Sequence, residues 1–209
     1  LMDRQTNILK RFVIYMAILT FVMFTVWMFI KSFKNRPPGD YHTEVCDMRL
    51  KDKQYEEALD SANIALEKRP NHRGAIMCKA LIFISKKEYL KATEELNYLI
   101  KYLENNNKVD DLTGKGILAA AYANRGIIKD REANYEGALK DYIKALGIDS
   151  EAVAGPGLGT IILNYKFKSS SVIERALYLN EQLQLPIEDR VLSIKELDDG
   201  QVMHKPGKL

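Results

Sequence analysis

The sequence predicts an all-α protein in which a single N-terminal transmembrane helix is followed by a solenoid of three to four helical hairpins. Three observations predict it. Residues 12–30 carry no charge, in a chain of 209 residues of which 46% are hydrophobic. The aromatic-to-alanine pairs Tyr55/Ala58 and Tyr89/Ala92 stand 34 residues apart, and Tyr135/Ala138 repeats their three-residue spacing. A small residue lies nine positions before each aromatic (Cys46, Ala80, Gly126), and an apolar one lies ten after it (Ala65, Leu99, Ala145). A period of this length marks stacked supersecondary units, each burying its apolar face against the next.

Residues 1–11 form a short N-terminal tail, and residues 12–30 follow as the apolar helix. At the helical rise they extend about 28 Å, close to the thickness of a bilayer core. A cleaved signal peptide is the alternative, but its apolar region is usually shorter, and Lys31-Ser32-Phe33-Lys34 is no small-residue cleavage site. Trp27 at one end and Phe12 and Tyr15 at the other fit aromatic placement at the two interfaces. Ala17 and Thr20 share a face on which a partner helix has room to pack. Satisfaction of Thr20 and Thr25 on their own preceding turn is the preferred reading. Arg4, Lys10 and Arg11 flank one side and Lys31, Lys34 and Arg36 the other, so the positive-inside count is nearly level. The reading leans to a cytoplasmic N-terminus, with the folded body periplasmic in a bacterial inner membrane. Residues 31–40, containing Pro37-Pro38-Gly39, form a short juxtamembrane linker.

The hairpins follow over 41–185, as repeats 41–70, 71–102 and 114–150 and a degenerate unit 153–185. In the first, one helix runs to near Lys51 and a second from Gln54 to Lys68, where Ala58, Ala62 and Ala65 line a narrow face before Pro70 ends the unit. In the second, Asn71 is placed to cap a helix carrying Ile76, Ala80 and Phe83, and Tyr89, Ala92, Leu96 and Leu99 line the next. Twelve extra residues separate Tyr89 from Tyr135, which assigns 103–113, with its polar Glu104-Asn105-Asn106-Asn107-Lys108, to an insertion that projects as a loop or lengthens both flanking helices. Tyr122, Gly126, Tyr135, Ala138, Tyr142 and Ala145 pattern the third repeat, and Ile173/Ala176 the fourth, after Gly155-Pro156-Gly157. Ser171-Val172-Ile173-Glu174 reads as a capping box. Within the C-terminal extension 186–209, Val191 to Leu197 is placed as a further short helix and the rest as a tail.

Taken together, the pairs Tyr55/Ala58, Tyr89/Ala92 and Tyr135/Ala138 with Cys46, Ala80 and Gly126 resemble the tetratricopeptide repeat (TPR) over roughly residues 40–185. The resemblance makes those nine residues repeat-packing positions. It also implies that the first helix of each repeat lines an inner groove that holds a partner. On that mapping the groove is offered by Met77, Leu81 and Ile84 in one repeat and by Ala120, Ala123, Asn124, Ile127 and Arg131 in the next, and it is mostly apolar. The chaperone-binding branch clamps a terminal carboxylate with lysine, arginine and asparagine. Here the corresponding places hold Thr43, Asp47, Cys78 and Ala120, which rejects that branch.

Composition excludes other classes. A net charge of +3, explained by the juxtamembrane basic residues, and the absence of a basic stripe interleaved with aromatics argue against nucleic acid. Cys46 and Cys78 are too few for a disulfide framework. Cys46 reads first as a small buried residue, with a bridge to Cys78 open only in an oxidising compartment. His42 and Cys46, four apart, are two metal ligands at most, so neither a metal nor another cofactor is expected. Residues 155–160 lack the preceding strand of a phosphate loop. Three scattered histidines build no triad, Glu56-Glu57 and Glu94-Glu95 read as solvated faces, and neither catalysis nor a small-molecule substrate is expected. The expected function is a membrane-anchored scaffold or adaptor that binds a protein partner in the assembly of a membrane complex. A constitutive accessory subunit of such a complex is the alternative.

Overall fold

The computed structural model describes residues 2–34, 37–150, 153, 172–194, 198 and 201. The glycine-rich stretch 155–160, Ser171 and most of the chain beyond 194 lie outside them, and with them the expected phosphate-loop exclusion, capping box and tail. The described residues are helical with no strands, and the chain divides into two units, Leu1–Pro38 and Gly39–Leu209.

The first unit is one helix, α1 (Met2–Lys34). Its stretch Ile8–Lys31, 24 residues of mean hydropathy 2.3, is long and apolar enough to cross a membrane. The Thr20 hydroxyl donates to the Met16 carbonyl and that of Thr25 to Val22, each at 2.8 Å, so both polar groups are satisfied inside the helix. The helix runs four residues past the boundary read from hydropathy, because nothing in residues 31–34 breaks it. Pro37 and Pro38 follow its described end in the sequence, and proline lacks the N–H that a continuing helix needs.

The second unit begins with three hairpins: α2 (Asp40–Lys51) with α3 (Tyr55–Lys68), α4 (Arg73–Ser85) with α5 (Tyr89–Asn106), and α6 (Leu112–Arg131) with α7 (Tyr135–Ile148). A further helix, α8 (Val172–Gln184), packs on α7. Within the hairpins the two helices pack together. Between them α3 meets α4 and α5 meets α6, while α4 also touches both α2 and α6. One turn closes all three hairpins. Lys53, Lys87 and Ala133 adopt left-handed φ values of 61°, 61° and 60°. The amide that follows each reaches back five residues, Gln54 to Arg49, Glu88 to Phe83 and Asn134 to Lys129. This is a Schellman end, which satisfies carbonyls the helix leaves open, here built without the glycine that fits it best.

Because α4 carries a single charged side chain, Lys79, between Ala75 and Ile84, it is buried on nearly every side. Its Ile76, Ala80 and Ile84 join Leu96, Leu99, Ile127 and Tyr142 in one continuous core. Gly126 lets α6 and α7 close, since a Cβ there would stand 2.6 Å from the Tyr142 ring. Cys46 and Cys78 are joined by a disulfide, with Cα atoms 6.6 Å apart, fastening α2 to α4. The first reading of Cys46 as a packing residue is therefore incomplete: both cysteines are buried, and both are bonded.

Two further positions differ from the sequence reading, and a third takes one of the two forms expected for it. The N-cap of α4 is His72 rather than Asn71. Its Nδ1 accepts the Ala75 amide at 3.3 Å while its Nε2 faces Asp40 at 2.8 Å, which pins the start of α2 to α4. The extra residues 103–113 lengthen both flanking helices, leaving only 107–111 as a connection. There the Asp111 carboxylate caps α6 by accepting the Gly114 amide at 2.7 Å. Finally, Val191–Ile194 is not helical. A 3-10 turn at Ile187–Asp189 follows Pro186, and α8 side chains satisfy the next segment's backbone in place of a helical ladder. Gln182 accepts the Val191 amide at 2.8 Å, and Tyr178 and Arg175 donate to the Val191 and Leu192 carbonyls.

Candidate functional site

Of the groove residues read from the sequence, Met77, Leu81, Ile84, Ala120, Ala123, Asn124 and Ile127 are buried, and Arg131 alone is exposed. Asn124 donates to the Met77 sulfur at 3.6 Å, so the two sets face each other across α4 and α6 inside the unit. A charge placed at Leu81 or Ile127 therefore acts on the fold before it can act on a partner. Of the positions expected to pack between repeats, Cys46, Ala58, Ala80, Ala92, Gly126 and Ala138 are buried, and Tyr55, Tyr89 and Tyr135 are half-buried.

Polar groups converge at two places on the third hairpin. In the first, the buried carboxylate of Asp141 on α7 accepts both Nε and Nη2 of Arg125 at 2.7 Å and pairs with Lys129 Nζ at 2.8 Å. Arg125 Nη1 continues to Asn97 of α5 at 2.7 Å, and the guanidinium lies over the Tyr122 ring. The Asp141 hydrogen bonds hold the Arg125 pKa above its ordinary value against the cost of burial. This network ties three helices together.

In the second, at the end of α6, Asp130 accepts Arg175 Nε and Nη2 at 2.7 Å each, a two-pronged pair between α6 and α8 in which both side chains are almost wholly buried. The Tyr142 hydroxyl donates to the same carboxylate at 3.1 Å. Burial first, and then the neighbouring charge of Asp130, push its pKa far upward, so it stays a donor. Two residues distant in sequence complete the cluster. Gln201 Nε2 donates to Asp130 at 2.7 Å and to the Tyr142 oxygen at 3.2 Å, and the Asp198 carboxylate stands 3.2 Å from Arg175 Nη2. Beside them lies a cavity of about 310 Å³ lined by Tyr89, Asp130, Arg131, Tyr135, Ser193, Asp198 and Gln201. It joins the only exposed member of the expected groove to two of the repeat-packing tyrosines.

Sequence reasoning missed Arg175 and Gln201. A signal for Arg175 exists: it falls on the apolar stripe Val172, Ala176, Leu179 of α8, where a cation needs a buried counter-ion. Gln201 carries none, because its role depends on how the chain returns from Pro186. At the insertion, Arg73 pairs with Asp111 beside a second cavity of about 390 Å³ whose lining includes Arg69, Tyr102, Asn107 and Lys108. Cys46 is bonded to Cys78, and His42 accepts from Lys68 Nζ at 2.7 Å.

No protein-family model matches this chain, and no curated protein matches it.

Proposed function

We propose that this protein is a membrane-anchored scaffold of the tetratricopeptide-repeat type, which holds a protein partner during assembly or stabilisation of a membrane protein complex. The observation that carries the reading is the recurrence of one hairpin, closed three times by the same left-handed turn at Lys53, Lys87 and Ala133 and stacked so that α2, α4 and α6 follow one another. Stacks of this kind build extended surfaces for protein partners, and residues 12–30 as an anchor confine the search to the membrane plane and raise the effective concentration of a weak contact. The expected inner groove is closed in the second unit, so the partner engages the stack where it opens, at the α6–α8 edge around Arg131. The Cys46–Cys78 bridge supports a body outside the cytoplasm, periplasmic in a bacterium, since disulfides persist in oxidising compartments. A photo-cross-linking residue at position 131 of the full chain, in intact membranes, tests the reading. A discrete adduct with one other protein is expected, and adducts with lipid or with the chain itself alone would overturn it.

A further inference from the structure

We infer that the end of the hairpin unit where α2, α4 and α6 begin docks on a membrane surface. It takes the phosphates of anionic lipid headgroups between Arg69 and Lys108, and lays Tyr41, Val109 and Leu112 into the interface.

Two polar contacts bring the three helix starts to one end. Asp40, the first residue of α2, faces His72, the N-cap of α4, at 2.8 Å. Arg73, the first residue of α4, pairs with Asp111, the N-cap of α6. Arg73 and Asp111 also border the cavity of about 390 Å³, which three cations line, Arg69, Arg73 and Lys108, against two carboxylates, Asp110 and Asp111. Arg73 and Asp111 hold each other, whereas Arg69 and Lys108 are exposed and have no hydrogen-bond or salt-bridge partner among the described residues. The cavity therefore carries a surplus positive charge on side chains free to turn towards an anion. Cations at the opposite end of the hairpins are placed differently: Lys86 pairs with Glu56 and Glu88, and Lys91 with Glu88.

Around these cations stand large apolar side chains that water surrounds. Tyr41 in the first turn of α2 is 59% exposed, Val109 in the connection 88% and Leu112 at the start of α6 76%. Any one of them alone would need no explanation. Together with unpaired Lys and Arg they form the combination a lipid interface recognises, with apolar side chains for the acyl boundary, cations for the headgroup phosphates and tyrosine at the level between. Lys108, Val109 and Leu112 all belong to residues 103–113, the stretch inserted beyond the 34-residue period, so the insertion supplies most of this surface.

The occupant follows from where the chain enters the unit. Asp40 stands nine positions after Lys31, the last residue of the apolar stretch, and nine residues span at most about 30 Å when fully extended. With that stretch in a bilayer, the tether presents the end that carries Asp40 to the lipid surface at an effective concentration on the order of millimolar. Contacts too weak to recruit a free protein then suffice. A Lys or Arg close to an anionic membrane favours the docked state by about fivefold, and Arg69 with Lys108 by roughly 25-fold together.

The full chain reconstituted into vesicles tests the inference. Its two cysteines are bonded to each other, so a single added cysteine takes an environment-sensitive fluorophore alone. One chain carries the label as Val109→Cys, and a second carries it as Glu132→Cys, about 30 Å away at the far end of the 20-residue α6. In vesicles of phosphatidylcholine with about one third phosphatidylglycerol, brominated lipid is expected to quench the label at 109 and to spare the label at 132. Arg69→Gln/Lys108→Gln, two exposed positions, and raised salt are each expected to return the 109 signal to its level in phosphatidylcholine alone. Equal quenching at 109 and 132, quenching at 109 that the double variant leaves unchanged, or a chain that does not float with the vesicles overturns the inference. A label at 109 that stays in water in these vesicles but is shielded in native membranes assigns the surface to a protein and also overturns it. Cross-linking at position 131 reads the other end of α6, so the scaffold reading and this one fail separately.

Discussion

Removing the Cys46–Cys78 bridge by Cys46→Ala/Cys78→Ala is expected to destabilise the hairpin unit by an amount that the chain separation sets. The two residues are 32 apart, and the loop-closure entropy regained by an unfolded chain freed of that link corresponds to about 3.7 kcal/mol at 25 °C. Both sulfurs are buried and alanine leaves only small voids, so the cross-link dominates the change. For a unit of this size, the loss corresponds to a fall in Tm of roughly 7–15 °C. Urea and thermal unfolding of the full chain in mild detergent, followed by circular dichroism, measure it. Wild type treated with dithiothreitol under unfolding conditions should fall to the level of the double variant, and the variant itself should not respond to reductant. Wild-type and variant stabilities within 1 kcal/mol of each other, with the bridge verified by mass in the wild type, would refute the reasoning.

Ala133→Gly relieves a left-handed residue at the α6–α7 turn and should stabilise by about 1 kcal/mol, read as a higher urea midpoint, with no change in helical signal. Leu81→Asp puts a carboxylate where the native side chain is 3% exposed. It should cost several kcal/mol and show as a collapsed thermal transition in circular dichroism. Arg175→Ala leaves Asp130 without its cation and should cost about 3–5 kcal/mol in denaturant unfolding. Asp111, held below its usual carboxylate range by the Gly114 amide and then by Arg73, contributes stability that is present above the ordinary carboxylate pKa. That contribution is lost as pH falls through the lowered folded value. Asp111→Ala should therefore cost about 1 kcal/mol at pH 7 and flatten the acid limb of a stability-versus-pH curve, while Asp111→Asn retains most of the cap.

Much of the helical pattern was legible in the sequence because each hairpin depends on local signals. Ala58, Ala92 and Ala138 sit where a small side chain lets helices approach, and the boundaries near Lys51, Lys68 and Tyr89 follow from polar turns and proline. The 34-residue interval returns in space as the interval between the left-handed residues Lys53 and Lys87. What was not legible is set by tertiary return of the chain. Whether Met77 and Leu81 face a groove or an interior depends on how closely α4 and α6 approach, which apolarity alone leaves open. The Cys46–Cys78 bond depends on α2 lying beside α4, two elements further along the chain. The Asp130 cluster is the extreme case, since the three partners of its carboxylate come from α7, α8 and the segment beyond, up to 71 residues away.

Native gel electrophoresis with mass spectrometry of the full chain, extracted in mild detergent with the bridge intact, tests the proposed scaffold role most directly. The account predicts a discrete assembly in which the chain is accompanied by at least one other protein, and in which Arg175→Ala reduces that association. Migration of the chain as a lone species under the gentlest extraction that releases it would contradict the account.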